Sequence, residues 1–131
     1  MCDAIRERIP SAELTPVVTA NDSQTAGALE GSHIVVSAGA AKAQLLPLSV
    51  RQGAKSLKVA IDLNAVPPLG IEGIEVMDKA AEKEGVICYG AIGVGGTKMK
   101  IHKAAIAKLF TANNLVLDAE EVLESGQEIT A

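Results

Sequence analysis

An α/β fold built on a parallel sheet is the architecture that this sequence predicts, and three observations carry it. Short aliphatic runs alternate with helix-period segments in the order βαβαβαβα, the pattern of right-handed crossover units. Hydrophobic residues make up 48% of the 131 positions but aromatics only 2%, so the core must be assembled from Val, Ile, Leu and Ala. Aliphatic strands of this kind suit a sheet covered by helices better than a sandwich or a small barrel. The length is one domain's worth, enough to bury a core.

Each element has its own local reason. Residues 3–9 place Ile5 and Ile9 four apart among charges, a helical spacing cut off by Pro10. Residues 14–19 (LTPVVT) read as a short strand, with Pro16 arguing for an edge. Asp22 or Ser23 can cap a helix through about Leu29 that Gly31 ends. HIVVSAG (33–39) is a buried strand. A broken helical stretch follows over 40–53: Lys42–Leu46, a restart at Pro47, and a stop at Gly53. KVAIDLN (58–64) is the next strand, followed by a loop stiffened by Pro67 and Pro68. Asp78 is placed to cap a short helix ending at Gly85, and VICYG (86–90) is the last clear strand. A helix is expected from about Lys98 to Phe110. Asp118 and Glu121 form a capping box for a final helix that Gly126 closes.

The chemistry is expected beyond the carboxyl ends of the strands, where open parallel sheets bind ligands. Those ends are Ser37-Ala38-Gly39-Ala40, Asp62-Leu63-Asn64-Ala65 and Gly90-Ala91-Ile92-Gly93, each small or polar after an apolar run. Asp62 and Asn64 alternate along the strand and so share a side. Either can hydrogen-bond a ribose, a carboxamide or a polar ring; Asp62 can equally accept from loop N–H groups. Gly90, Gly93, Gly95 and Gly96 let a backbone approach a ligand closely, and the turn is read as opening onto a helix N-terminus that favours an anion. Lys98 stands at the first expected helical position. Lys100 and Lys103 read as a solvated basic face, His102 as a helix-face histidine, and His33 as structural.

Several function classes are disfavoured. A formal charge of −4 without a Lys/Arg run argues against nucleic acid and anionic membrane as partners. No apolar run approaches the ~20 residues of a membrane span. Cys2 and Cys88 make neither a disulfide framework nor a metal pattern, and no metal site is expected; Cys88 reads as a buried, inert thiol and a reduced cytoplasm as the compartment. GVGGTK satisfies neither the P-loop pattern nor GxGxxG, and HExxH, GxSxG and CxxC are missing.

Taken together, GSHIVVSAGA (31–40), LLP (45–47), IDLNAVPPLGIEGIEVMDK (61–79) and YGAIGVGGTKMKIHKAAIAKLF (89–110) strongly resemble the carboxy-terminal half of the NADP-dependent methylene-tetrahydromethanopterin dehydrogenases, some of which use methylene-tetrahydrofolate. The resemblance implies that residues 1–131 are the later part of a Rossmann-like NADP domain. The sheet would be a partial, doubly wound parallel one of about four strands with helices on both faces. It would lack the first two strands, the glycine-rich phosphate turn, the basic residues that hold the nucleotide's extra phosphate, and the pterin-side domain. In that frame 14–19 would be the third strand and 33–37 the fourth.

By position, the resemblance puts Ser37, Ala38, Gly39 and Asn64 beside the ribose and nicotinamide of NADP, together with Gly93, Gly95 and Gly96. Asp62 and Lys98 fall to the tetrahydromethanopterin or tetrahydrofolate substrate, with Lys98 in a catalytic or orienting role. The implied reaction passes a hydride from a methylene carbon to NADP+, giving a methenyl pterin. Such a piece is expected to be inactive alone and to associate, either with itself or with a complementing chain, through an exposed sheet edge. Two other readings stay open: a non-catalytic assembly module or carboxy-terminal subunit of a split enzyme, and a small phosphate-ligand binder using residues 93–98.

Overall fold

The computed structural model describes residues 2–130. Its elements run α1 (Cys2–Arg8), α2 (Asp22–Leu29), β1 (Ile34–Ser37), α3 (Leu48–Gly53), β2 (Val59–Asp62), β3 (Ala81–Lys83), β4 (Val86–Tyr89), α4 (Ala91–Leu109) and α5 (Ala119–Thr130). The four strands form one open sheet in the order β1-β2-β4-β3. β1, β2 and β4 are parallel, as the aliphatic runs predict. β3 is antiparallel to β4, a departure from the expected all-parallel sheet. The result is an α/β, mostly parallel, partial Rossmann-like fold.

Register sets which side chains share a face. Val35 pairs with Ala60 and Ala60 with Cys88; Ser37 pairs with Asp62. Ala60 and Cys88 are buried with Leu29, Leu46, Val50, Leu57, Ile71, Ile74 and Val86, and Val35 packs against them. The opposite face carries Ile34 and Val36, both exposed on β1. The helices associate in two pairs, α2 with α3 and α4 with α5.

Arg51 of α3 is buried in this core. Its Nη2 pairs with Glu84 Oε2 at 3.0 Å and its Nη1 donates to Cys88 Sγ at 3.8 Å. Burial pushes the Cys88 thiol up and the Arg51 charge pulls it the other way; burial wins, leaving the thiol protonated and inert.

Several expectations about individual elements are corrected. Residues 14–19 form no strand and stay outside the sheet, although the outer edge of β1 is open. Lys42–Leu46 is not helical: Lys42 sits at φ 66°, and only the turns after Pro47 coil. Asn21, not Asp22 or Ser23, caps α2, its side chain accepting from Gln24 N at 3.0 Å. Residues 78–85 hold no helix. Glu84 (φ 56°) and Gly85 (φ 78°) make a two-residue mirror-image turn that folds β3 back on β4. The capping box forms, with Glu121 accepting from Asp118 N and Asp118 from Glu120 N, but α5 runs past Gly126 to Thr130.

The last correction touches the site. α4 begins at Ala91 rather than Lys98, so Gly93, Gly95 and Gly96 lie inside its first turns. Glycine disfavours helix, yet here a neighbouring segment fixes the start. The Val76 carbonyl accepts from Ile92 N (2.8 Å) and Gly93 N (3.2 Å), and the Asp78 carbonyl accepts from Gly90 N (2.9 Å).

Asp78 anchors that segment through its side chain. Burial resists its ionisation, but the Glu75 N–H (2.7 Å) and the Lys83 ammonium (2.6 Å) outweigh burial and hold the carboxyl below its ordinary value. A carboxyl depressed on folding contributes stability that is complete above its unfolded pKa of about 3.9 and is lost as pH falls through the lower folded value. Acid unfolding followed by circular dichroism should therefore steepen below about pH 4. Asp78→Asn should flatten that limb while lowering stability at neutral pH.

Candidate functional site

The carboxyl ends of β1 and β2 bring three polar side chains into one buried cluster: Ser37, Asp62 and Asn64. Asp62 is 0% exposed and its carboxylate is fully engaged. Oδ1 accepts from Asn64 N (3.0 Å) and Oδ2 from Ile71 N (2.8 Å), pinning both ends of loop 63–71, which contains the cis Pro67–Pro68 bond. The carboxylate thus shapes the loop that forms the rim of the cluster. Asn64 Nδ2 donates to the Ala40 carbonyl at 3.4 Å, tying that loop to the one after β1.

Two further residues hold the loops together, and the sequence did not reveal them. Gly70 sits so close that a Cβ there would overlap Ser37 Oγ and approach Asp62 Oδ1 and Asn64 Nδ2. Its carbonyl accepts from Leu45 N (2.8 Å) and Leu46 N (2.9 Å). Glu72 Oε2 accepts from Leu48 N at the start of α3 (2.8 Å) and from Gln44 Nε2 (3.0 Å). The only sequence signal for Gly70 was a glycine following a stiffened loop.

Ser37 Oγ is buried and hydrogen-bonds to nothing. An orphaned buried hydroxyl is costly and uncommon, and at a strand end it marks a place where a polar ligand group can be received. Ala38 and Gly39 follow it on the exposed turn.

The glycines at and just inside the start of α4 divide into two kinds. A Cβ on Gly90 or Gly93 would overlap the backbone carbonyls of Glu75 or Asp78, so their small size admits the chain's own segment. A Cβ on Gly95 or Gly96 would meet nothing within 4 Å. Because the Val76 carbonyl already takes two of the first N–H groups, the helix end is not the open anion site that the sequence suggested. Lys98 is exposed and borders a groove of about 480 Å³ between α4 and α5, with Val94, Thr97, Ile101, His102 and Val122. Among the described residues no group of three His, Cys, Asp or Glu side chains is arranged to hold a metal ion. No described helix is long and apolar enough to cross a membrane.

Sheet, strand-end cluster and helix define a Rossmann-like α/β unit with a buried polar cluster at the carboxyl ends of its parallel strands. Among characterised proteins, the chain is 42% identical over 127 residues to the bifunctional protein MdtA of Methylorubrum extorquens, a match covering 97% of this chain and 44% of that protein. It is also 32% identical over 105 residues to the NAD(P)-dependent methylenetetrahydromethanopterin dehydrogenase of the same organism, covering 78% of this chain and 35% of that protein. The chain therefore spans less than half the length of either relative. No protein-family model matches it.

Proposed function

We propose that this chain is the nicotinamide-side part of the NADP domain of a one-carbon oxidoreductase. The enzyme would transfer hydride from methylene-tetrahydromethanopterin, or methylene-tetrahydrofolate, to NADP+. The observation that carries the reading is the unpaired, buried Ser37 Oγ beside Asn64, at the strand ends where this fold class receives a nucleotide. The name of the dehydrogenase relative supplies the reaction class.

Ser37, Ala38, Gly39 and Asn64 would hold the ribose and carboxamide end, and Gly95 and Gly96 would admit the ring system against the α4 backbone. When bound, NADP+ supplies the hydride acceptor. Hydride transfer depends mainly on holding two rings in register, so the chain's work is positioning rather than proton transfer. Asp62 does this through the loop it pins, fixing Asn64. Lys98 would orient the pterin from the α4 groove. Nothing among the described residues cradles a pyrophosphate, so affinity is expected to be weak and the chain inactive alone. A soluble metabolic enzyme of this kind is assigned to the cytoplasm.

Calorimetric titration with NADP+ tests the reading. Weak binding is expected. Removing an unpaired hydroxyl leaves stability nearly unchanged, so Ser37→Ala should keep the melting temperature. It should weaken nucleotide binding by about three- to tenfold, the worth of one hydrogen bond. Micromolar affinity would overturn the inactivity of the isolated chain, and no binding at millimolar nucleotide would overturn the cofactor assignment.

The edge of β1 supports a second reading, the subunit of a split enzyme. Ile34 and Val36 are exposed on a strand with no neighbour on its outer side, whereas parallel sheets are ordinarily covered on both faces. A polypeptide supplying the remaining length of the relatives could pair there.

A further inference from the structure

The amino-terminal ends of the strands border a polar recess, at the edge of the sheet opposite Ser37 and Asn64. Its volume is about 440 Å³, and Arg51, Gln52, Lys55, Lys58, Glu84 and Gly85 line it. Lys58 stands just before β2 and Gly85 just before β4, which fixes the recess at that end.

Arg51 is only 3% exposed, yet its guanidinium is poorly satisfied. Nε is buried without a hydrogen-bond partner, and Nη1 has only Cys88 Sγ at 3.8 Å, a weak acceptor. A guanidinium carries five donors and cannot shed its charge, so burial at this site demands an anion. Glu84 supplies one, with Oε2 3.0 Å from Nη2, and its other oxygen accepts from Gln52 Nε2 at 2.6 Å. It does so from a φ of 56°, which Asn or Gly adopts at lower cost, and its side chain is half-exposed. Glu84 is thus a built-in anion, tethered to a turn and able to swing outward.

Two lysines make the recess too positive for one carboxylate. Lys58 makes no ion pair among the described residues, and Lys55 Nζ reaches the Gln52 carbonyl at 3.4 Å. Arg51, Lys55 and Lys58 against Glu84 leave two positive charges uncompensated. A phosphate monoester carries about −1.5 to −2 at neutral pH and accepts paired N–H donors from arginine. A second carboxylate would balance only half of the excess.

We infer that this recess binds the phosphate group of a small phosphorylated molecule. The phosphate replaces Glu84 on Arg51 Nη2 and Gln52 Nε2, and Lys55 and Lys58 neutralise its remaining charge.

Thermal unfolding with inorganic phosphate or methyl phosphate, against chloride at equal ionic strength, tests this. The melting temperature should rise with either dianion, following a Kd on the order of 1 mM. Both upholding results differ only in source: tighter binding of one tells the free ion from an ester. Lys55→Gln and Lys58→Gln should each weaken binding by about threefold or more. Their circular dichroism should be unchanged, because both side chains are exposed. Glu84→Gln gives a result that a purely structural ion pair would not. It should melt lower without phosphate, bind phosphate about threefold or more tightly, and regain stability as phosphate is added. A rise matched by chloride, a rise kept in both lysine variants, or a Glu84→Gln protein that phosphate does not restore overturns the inference. NADP+ affinity of the lysine variants should be unchanged, and its loss would overturn a separate site by placing the nucleotide here. Failure of phosphate to bind leaves the cofactor assignment at the opposite strand ends standing.

Discussion

Replacing Asp62 with alanine is expected to destabilise the fold by about 3–5 kcal/mol. Each N–H···carboxylate bond contributes roughly 1.5–3 kcal/mol, and the substitution leaves two buried donors, Asn64 N and Ile71 N, without an acceptor. For a domain of this size the midpoint of thermal unfolding should fall by about 10 °C or more. Asp62→Asn gives a sharper reading. Its carboxamide can accept one of the two N–H groups, but it turns its own donors toward the other, so a loss smaller than that of alanine is expected. A melting temperature unchanged in both variants would show that loop 63–71 holds its shape without the carboxylate.

The second large effect is expected at Gly93. A Cβ there overlaps the Asp78 carbonyl oxygen, with the Lys79 Cα close behind at 3.3 Å. These are backbone atoms and cannot swing aside. Gly93→Ala must push the 75–79 segment away, weakening the bonds that Val76 and Asp78 make to Ile92, Gly93 and Gly90. A net loss of about 2 kcal/mol is expected, overpacking of 1–3 kcal/mol or more exceeding a helix-propensity gain of about 1. Gly95→Ala and Gly96→Ala should behave oppositely, each stabilising by up to about 1 kcal/mol because the new methyl meets nothing. If nucleotide or pterin packs against those two positions, the same variants bind it less well while melting higher. Chemical denaturation and NADP+ titration of the three variants separate a packing glycine from a ligand-facing one.

The three parallel strands were legible because each is a short aliphatic run ending in small or polar residues. The Asp118–Glu121 box was legible because capping is a local interaction. The hairpin at 81–89 was not, since Glu84 at positive φ gives no turn signal of the Asn-Gly kind, and Asp78 offered a plausible cap. The start of α4 escaped for a different reason. Three glycines in its first turns argue against helix by propensity, and the contact with a segment more than ten residues earlier overrides that preference. At the site, the meeting of Ser37, Asp62 and Asn64 follows from strand ends lying side by side, which sequence order predicts. The fit of Gly70 against Ser37 and the clasp of Glu72 across two loops depend on tertiary placement, and no local pattern encodes them.

β3 makes the two borders of the sheet unequal. It is a three-residue strand bearing Glu82 and Lys83, folded back by a tight turn, and it shields that border with charge and brevity. The other border offers the bare aliphatic β1. Polymerisation by strand stacking needs two receptive sides, and this molecule has one. Any joining along β1 is thus self-terminating: it consumes the receptive side of both participants and leaves only hairpins outward, so the chain can form a pair or accept a cover without seeding a fibre.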